Sequence, residues 1–203
     1  MAKYHFTSKD FKVFKVEGVE PRMEALISTT RPKLEALGEY FSDYLSQHTD
    51  ETFYPHVAKH LRRKTNPPND TWVAFSTNKR GYKMLPHFQI GLFDDHVFVL
   101  FGIIYESPEK ERMAAKWQQQ INDILALDSD FIIKGDHMKK NYETIEALDA
   151  NALKQYIERL VNVRKGELLF GKVFLPNDDA LKSDKKFLGA VEETFFKLLP
   201  LYE

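Results

Sequence analysis

Apolar and polar positions are most regularly arranged between Met84 and Tyr105. Pro86 to Phe93 and His96 to Ile104 each read as a strand, and Asp94-Asp95 forms the two-residue turn between them. That turn sets Leu92 opposite Val97, Ile90 opposite Val99 and Phe88 opposite Phe101. One face of the hairpin is then wholly apolar and must pack on a core. The other carries His87, Gln89, Gly91, Phe98, Leu100 and Gly102. Its two glycines leave a shallow floor, which suits either a ligand or a closely packed helix.

The rest of the chain interleaves helical and strand periods. Thr7 precedes Asp10 by three, a capped single turn, and Phe11 to Val16 alternates as a short strand would. Met23, Leu26, Ile27, Thr30, Leu34, Leu37, Phe41, Tyr44 and Leu45 keep helical spacing from about Glu20 to Gln47. The stripe holds its phase across Pro32, so one kinked helix is expected. A second helix is expected from about Asp50 to Arg63, with Pro55 limiting its start. Asn66 to Asp70 is loop chemistry, Trp72 to Ser76 a strand, and Asn78-Lys79-Arg80-Gly81 a turn.

Ser107-Pro108-Glu109 opens a helix whose inner stripe is Met113, Trp117, Ile121, Ile124 and Leu125. Phe131 to Ile133 is a short buried strand ending at Gly135. Asp149 caps a helix with Leu153, Tyr156, Ile157, Leu160 and Val161 inward. Phe170 to Leu175 is the last strand, and a final helix runs from about Asp178 to Leu199. An antiparallel hairpin among helices favours an α+β fold: an antiparallel sheet built around the central hairpin and covered by helices.

With 203 residues, no repeat and no linker, residues 1–203 form a single domain by expectation. A chain of this length buries about 70% of its unfolded surface, so it needs no disulfide. With no cysteine it can form none, which excludes thiolate catalysis and favours a reducing cytoplasm. The N-terminal residues lack the apolar stretch of a signal peptide. No apolar run approaches the roughly 20 residues that span a bilayer, so no membrane partner is expected.

The net charge is −1, but its distribution is uneven. Residues 56–87 contain Lys59, Arg62, Arg63, Lys64, Lys79, Arg80 and Lys83 against the single acid Asp70, a local charge of +6. His56, His60 and His87 lie in the same segment. Such asymmetry points to an anionic partner, although a solvated basic helix end has the same signature.

His56 and His60 are four apart and would share a helix face, but the metalloprotease pattern needs glutamate where Val57 stands. Nearby arginines oppose a cation, so no metal and no cofactor are expected. Arg62 and Arg63 are suited to bidentate contact with phosphate or carboxylate. Asn69 is a turn former on a loop able to line a site. Arg80 and Lys83 would add a second cationic wall. His87 shares its face with Gln89 and would stay neutral in positive surroundings, as a donor or a base. Asp136-His137 reads as turn chemistry. There is no phosphate-binding glycine loop, nucleophile elbow or paired H-x-T motif, and the aromatic residues lie at core spacing.

Three runs are specific in detail: Ala58 to Arg63, Asn66 to Phe75, and Arg80 to Leu92. With Arg31-Pro32-Lys33-Leu34-Glu35-Ala36-Leu37-Gly38 and Gly135-Asp136-His137, they make the chain resemble the YktB-like family of uncharacterised bacterial proteins over nearly its whole length. The resemblance implies one α+β domain and a cytoplasmic protein. It implies no activity, cofactor or catalytic residue.

The residues themselves point first to a binding module for a small anionic ligand, a class that includes phosphorylated compounds. In that reading Arg62, Arg63, Arg80 and Lys83 supply charge, and His60, Asn69, His87 and Gln89 supply hydrogen bonds. The alternatives are a hydrolase or transferase using His87 or His60 as general base, weak nucleic-acid binding, and a scaffold without a ligand. Nucleic acid is the less expected partner.

Overall fold

A computed structural model describes residues 2–203. Seven strands form one antiparallel sheet in the order β1-β2-β3-β4-β7-β5-β6. They are β1 (Tyr54–Val57), β2 (Thr71–Ser76), β3 (His87–Leu92), β4 (Val97–Ile103), β5 (Ile132–Lys134), β6 (Glu143–Thr144) and β7 (Leu168–Phe174). The fold is α+β, as the sequence indicates. The β3–β4 hairpin has the expected register: Leu92 pairs with Val97, Ile90 with Val99 and Phe88 with Phe101. Phe93 N–H closes the turn on His96 O at 2.9 Å.

The two faces are covered differently. On one, Val73, Phe75, Phe88, Ile90, Val99, Phe101, Ile133, Leu168 and Phe170 join a single core with the helices. These are α1 (Ser8–Lys12), α2 (Val19–Ala25), α3 (Arg31–His48), α4 (Lys110–Gln119), α5 (Ile121–Leu125), α6 (Ala150–Asn162) and α7 (Asp184–Tyr202). On the other face a smaller cluster forms from Phe93, Phe98, Leu100, Ile104, Ile132 and Leu169, with Trp72, Tyr82 and Val173 against it. Among the described residues, no helix contributes to that cluster. The shallow floor expected from the glycines is filled from within the sheet. A Cβ on Gly91 would lie 2.4 Å from Phe98 Cζ, so the phenyl ring occupies that space.

Several expected elements differ. Residues 11–16 are not a strand. A 3-10 turn (Val13–Lys15) follows α1, because Phe11, Val13 and Phe14 must all reach the core and strand alternation would turn two of them away from the third. Thr7 and Asp10 do cap α1, with Thr7 N–H donating to Asp10 Oδ2 at 2.7 Å. Asp10 also receives Lys33 Nζ at 2.6 Å in a buried ion pair that ties the N-terminus to α3. The long first helix is interrupted by a π-turn (Leu26–Thr30) just before Pro32, which has no N–H to continue the ladder.

The helix expected over residues 50–63 does not form. Its first half is β1 and its second half an irregular turn. Pro55 explains the difference: β1 is the outermost strand, where a residue without N–H is tolerated, whereas a helix interior would lose a hydrogen bond. His56 and His60 therefore share no helix face.

Ile90 is fully buried between strands and helices. Ile90→Ala should cost about 2–5 kcal/mol in urea denaturation. A loss below about 0.5 kcal/mol would contradict packing of this face.

Candidate functional site

A sheet face without helices must be roofed by connections, and their polar groups are then carried inward. Three segments do this here: residues 58–70, 77–86 and 135–142. Tyr82 packs its ring 4.8 Å from that of His87, and Trp72 Nε1–H donates to the Tyr82 hydroxyl at 3.1 Å. The His60 ring stands edge-on to Trp72 at 5.5 Å. Beneath these segments Asp70, His87, Gln89, Lys134 and Glu167 are all buried.

Register explains how the strands deliver them. His87 pairs with Gly102, Gly102 with Leu169 and Leu169 with Lys134, so His87 and Lys134 lie in one row across the roofed face. His87 Nδ1–H donates to Leu85 O at 2.8 Å, and its Nε2 accepts from Gln89 Nε2 at 2.7 Å. Both nitrogens are engaged by the neutral ring. Burial holds its pKa down, at about 4. His60 lies in left-handed backbone, with φ 53°. That conformation is strained for a residue with a Cβ, and a 3.2 Å contact between its Nε2 and Thr71 Oγ1 helps to hold it. Burial, with Arg63 and Arg31 adding to it, lowers the His60 pKa to about 4.

Asp70 and Lys134 are opposite charges out of water that do not pair. Burial raises the Asp70 carboxyl to about 6, against the pull of His137, Arg63 and Lys134. Burial lowers Lys134 to about 8, against the pull of Asp70, Asp136, Asp95 and Glu167. The Lys134 ammonium donates to Lys139 O at 2.6 Å and lies over the rings of Phe93 and Phe98, at 5.2 and 5.9 Å. It has no carboxylate partner among the described residues.

The third component is His137 with Glu167. The His137 ring Nδ1–H donates to both carboxylate oxygens, at 2.9 and 2.8 Å, and its backbone N–H donates to Oε2 at 2.7 Å. Asp136, His137 and Glu167 also bring potential metal-donor atoms within 4.8 Å of one another. Here, however, Glu167 is taken up by His137, and Asp136 Oδ1 accepts Met138 N–H at 2.9 Å. The arrangement is a hydrogen-bonded imidazole–carboxylate pair beside a turn.

The eight residues named from sequence fall into separate neighbourhoods. His60 contacts Thr71, the residue after Asp70, and its carbonyl accepts Arg63 N–H at 3.0 Å, while His87 and Gln89 form part of the floor. Arg62 and Arg63 are exposed and form no ion pair among the described residues. Arg80 and Lys83 line a shallow cavity of 440 Å³ with His56 and Tyr82, and Lys83 is paired with Glu106 at 2.7 Å. Asn69 lines another, of 290 Å³, with Phe93 and Lys140. A larger cavity, 690 Å³, opens beyond the short β6 and is lined by Lys134, Asp136, Tyr142, Glu143, Tyr156 and Arg159.

Sequence reasoning missed Lys134 and Glu167 and gave His137 only a turn role. A signal was present. Lys134 closes the apolar run Phe131-Ile132-Ile133, and Glu167 opens Leu168-Leu169-Phe170. A charge abutting a buried strand is either solvated at its end or buried for a reason.

Residues 6–202 match the family model described as a domain of unknown function, DUF1054. A UPF0637 protein of Macrococcus caseolyticus is 87% identical over 202 residues, covering 100% of both chains. UPF0637 proteins of Staphylococcus aureus strains MW2 and JH9 are 53% and 52% identical, covering 100% of this chain and 99% of theirs. The chain belongs to this family, in agreement with the YktB-like resemblance. Among the described residues, no helix is long and apolar enough to cross a membrane.

The raised pKa of Asp70 makes its ionisation a cost to the folded state. That cost is fully present above about pH 6 and absent below the unfolded value of 3.8. Asp70→Asn should therefore stabilise the protein at pH 8 by on the order of 2–3 kcal/mol. The gain should shrink as pH falls and vanish near pH 4. Denaturation curves at the two pH values test this, and an equal effect at both would refute it.

Proposed function

We propose that this protein is a one-domain binding module for a small, phosphorylated anionic ligand, held on the helix-free face of the sheet. Arg63 and Lys134 supply the charge. His60 and Asn69 offer hydrogen bonds from the roof, and His87 with Gln89 forms the polar floor. Arg62, Arg80 and Lys83 make the approach positive and draw anions toward the face.

The observation that carries this reading is the state of Lys134. Lys134 is 1% exposed, its ammonium donates one hydrogen bond to the protein, and it has no carboxylate partner among the described residues. An unpaired buried cation is costly, and an anion would offset that cost. Asp70 makes such binding pH-dependent. Below about pH 6 its carboxyl keeps its proton and is a hydrogen-bond donor to a phosphoryl oxygen, and above that it is a charge that opposes an anion, so affinity should rise as the pH falls.

Thermal melts with inorganic phosphate, nucleotides and phosphosugars test the proposal. A ligand at 100 times its Kd should add about 2.7 kcal/mol of stability. Arg63→Gln should lose most of that shift, whereas Arg164→Gln, an exposed residue beyond α6, should keep it. If none of these anions moves the melt, the proposal fails.

A further inference from the structure

The ladder between β5 and β6 is two residue pairs long, Ile132 with Thr144 and Ile133 with Glu143. Lys134 and Tyr142, next in that register, are not paired, and the chain parts around residues 135–142. The 690 Å³ cavity lies in this parting, between the end of β5 and α6. Direct contacts frame it. Tyr156 Oη–H donates to Glu143 Oε1 at 2.9 Å, and Arg159 Nη1–H donates to Gly135 O at 3.1 Å. Gly135 brings the backbone close to α6: a Cβ there would lie 3.4 Å from both Tyr156 Cε1 and Arg159 Nη1. Lys134 Nζ donates to Lys139 O at 2.6 Å, a bond that joins two residues of the cavity lining.

The lining has two kinds of unused binding capacity. The first is cationic. An ammonium has three N–H groups and a guanidinium five. Lys134 and Arg159 each use one within the protein, and neither meets a carboxylate among the described residues. Lys134 is buried as well, so an anion reaching it would offset the cost of an unpaired charge. With Lys139 against Asp136 and Glu143, the charged lining sums to +1. The second is aromatic: the rings of Tyr142 and Tyr156 border the same space. Size narrows the occupant further. A phosphate ion would leave most of 690 Å³ to water, whereas cavities of roughly 300–1,000 Å³ enclose whole organic ligands.

We propose that the cavity between β5 and α6 binds a nucleoside monophosphate, its phosphate on Lys134 and Arg159 and its base against Tyr142 and Tyr156. The inference rests on the role given to Lys134 in the anion-binding reading above, and it names the rest of the ligand. Arg159 holds phosphoryl oxygens with N–H groups left over from its bond to Gly135. A base stacks on an aromatic ring whatever its identity, and a phosphosugar would leave both tyrosines without a planar partner. Glu143 lines the cavity, and its Oε2 has no partner among the described residues. It accepts from an exocyclic amine, which adenine carries and uracil lacks.

Calorimetry on the full chain, with AMP, UMP, adenosine and inorganic phosphate, tests the assignment. AMP should bind about tenfold or more tighter than phosphate or adenosine, and tighter than UMP. Lys134→Met, which keeps the length of the side chain without its charge, should weaken AMP by about tenfold or more. Tyr156→Leu should weaken AMP by about tenfold and leave phosphate within about threefold, whereas Tyr156→Phe keeps the ring and should hold AMP within about threefold. Tyr142 is exposed, so Tyr142→Leu carries the same expectation and serves if Tyr156→Leu melts early. Phosphate bound as tightly as AMP, or AMP unmoved by either leucine variant, overturns the nucleotide assignment and leaves the anion-binding reading intact. Adenosine bound as tightly as AMP also overturns it, because the phosphate then has no role at Lys134. UMP bound as tightly as AMP overturns the role given to Glu143. Failure of every anion, phosphosugars included, to bind overturns both readings.

Discussion

The sheet has two faces to keep from water, and helices cover only one. This asymmetry governs the rest of the structure. On the helical side, apolar stripes from α3, α4, α6 and α7 meet the alternate residues of the strands in an ordinary core. On the opposite side the cover is made of turns. Turns carry backbone and side-chain polar groups that a helix would satisfy internally, and burying them brings charge toward the sheet. Asp70 is buried with the loop that lies across the apolar strands, whereas Lys134 ends β5 and Glu167 abuts β7, so both are buried by the cover above them.

These charges are a cost to the fold. The Asp10–Lys33 pair provides the contrast within the same molecule. There the ions touch, a threonine hydroxyl adds a hydrogen bond, and the N-terminus is anchored. On the roofed face Asp70 and Lys134 form no ion pair among the described residues, and His60 is held in a backbone conformation that most residues avoid. Strain and unpaired charge concentrate at functional sites because selection for stability alone would remove them. Their location here on one face, and not scattered, is the structural reason for placing the site there.

The sequence exposed what depends on local periodicity. The hairpin register, the stripe of α3 through Pro32 and the Asp149 cap of α6 each follow from residues close together in the chain. Asp149 Oδ1 accepts Ala152 N–H at 2.7 Å, as that cap requires. What depends on distant neighbours was hidden. Residues 50–63 have the composition of a helix, and only the outer edge of a sheet, built from β2 and β3, makes β1 the better state. His137 and Glu167 are 30 residues apart, and nothing between them announces the contact. Of the named site residues, those in the basic segment were visible through charge alone, which finds cations in excess and overlooks cations buried singly, such as Lys134.

The position of β7 bears on how this chain folds. β7 pairs with β4 on one side and β5 on the other, so the strand formed last in sequence lies inside the sheet. Until residues 168–174 are available, β1 to β4 and β5 with β6 are two unconnected fragments, each with an open hydrogen-bonding edge. A ribosome-bound chain lacking its last part would present the edge of β4, whose residues are fully apolar on the helical side, to other chains. Closure across such long sequence separations is slow. Completion of the sheet therefore waits on β7, and the interval before β7 inserts is when the open edges of β4 and β5 are exposed to pairing with other chains.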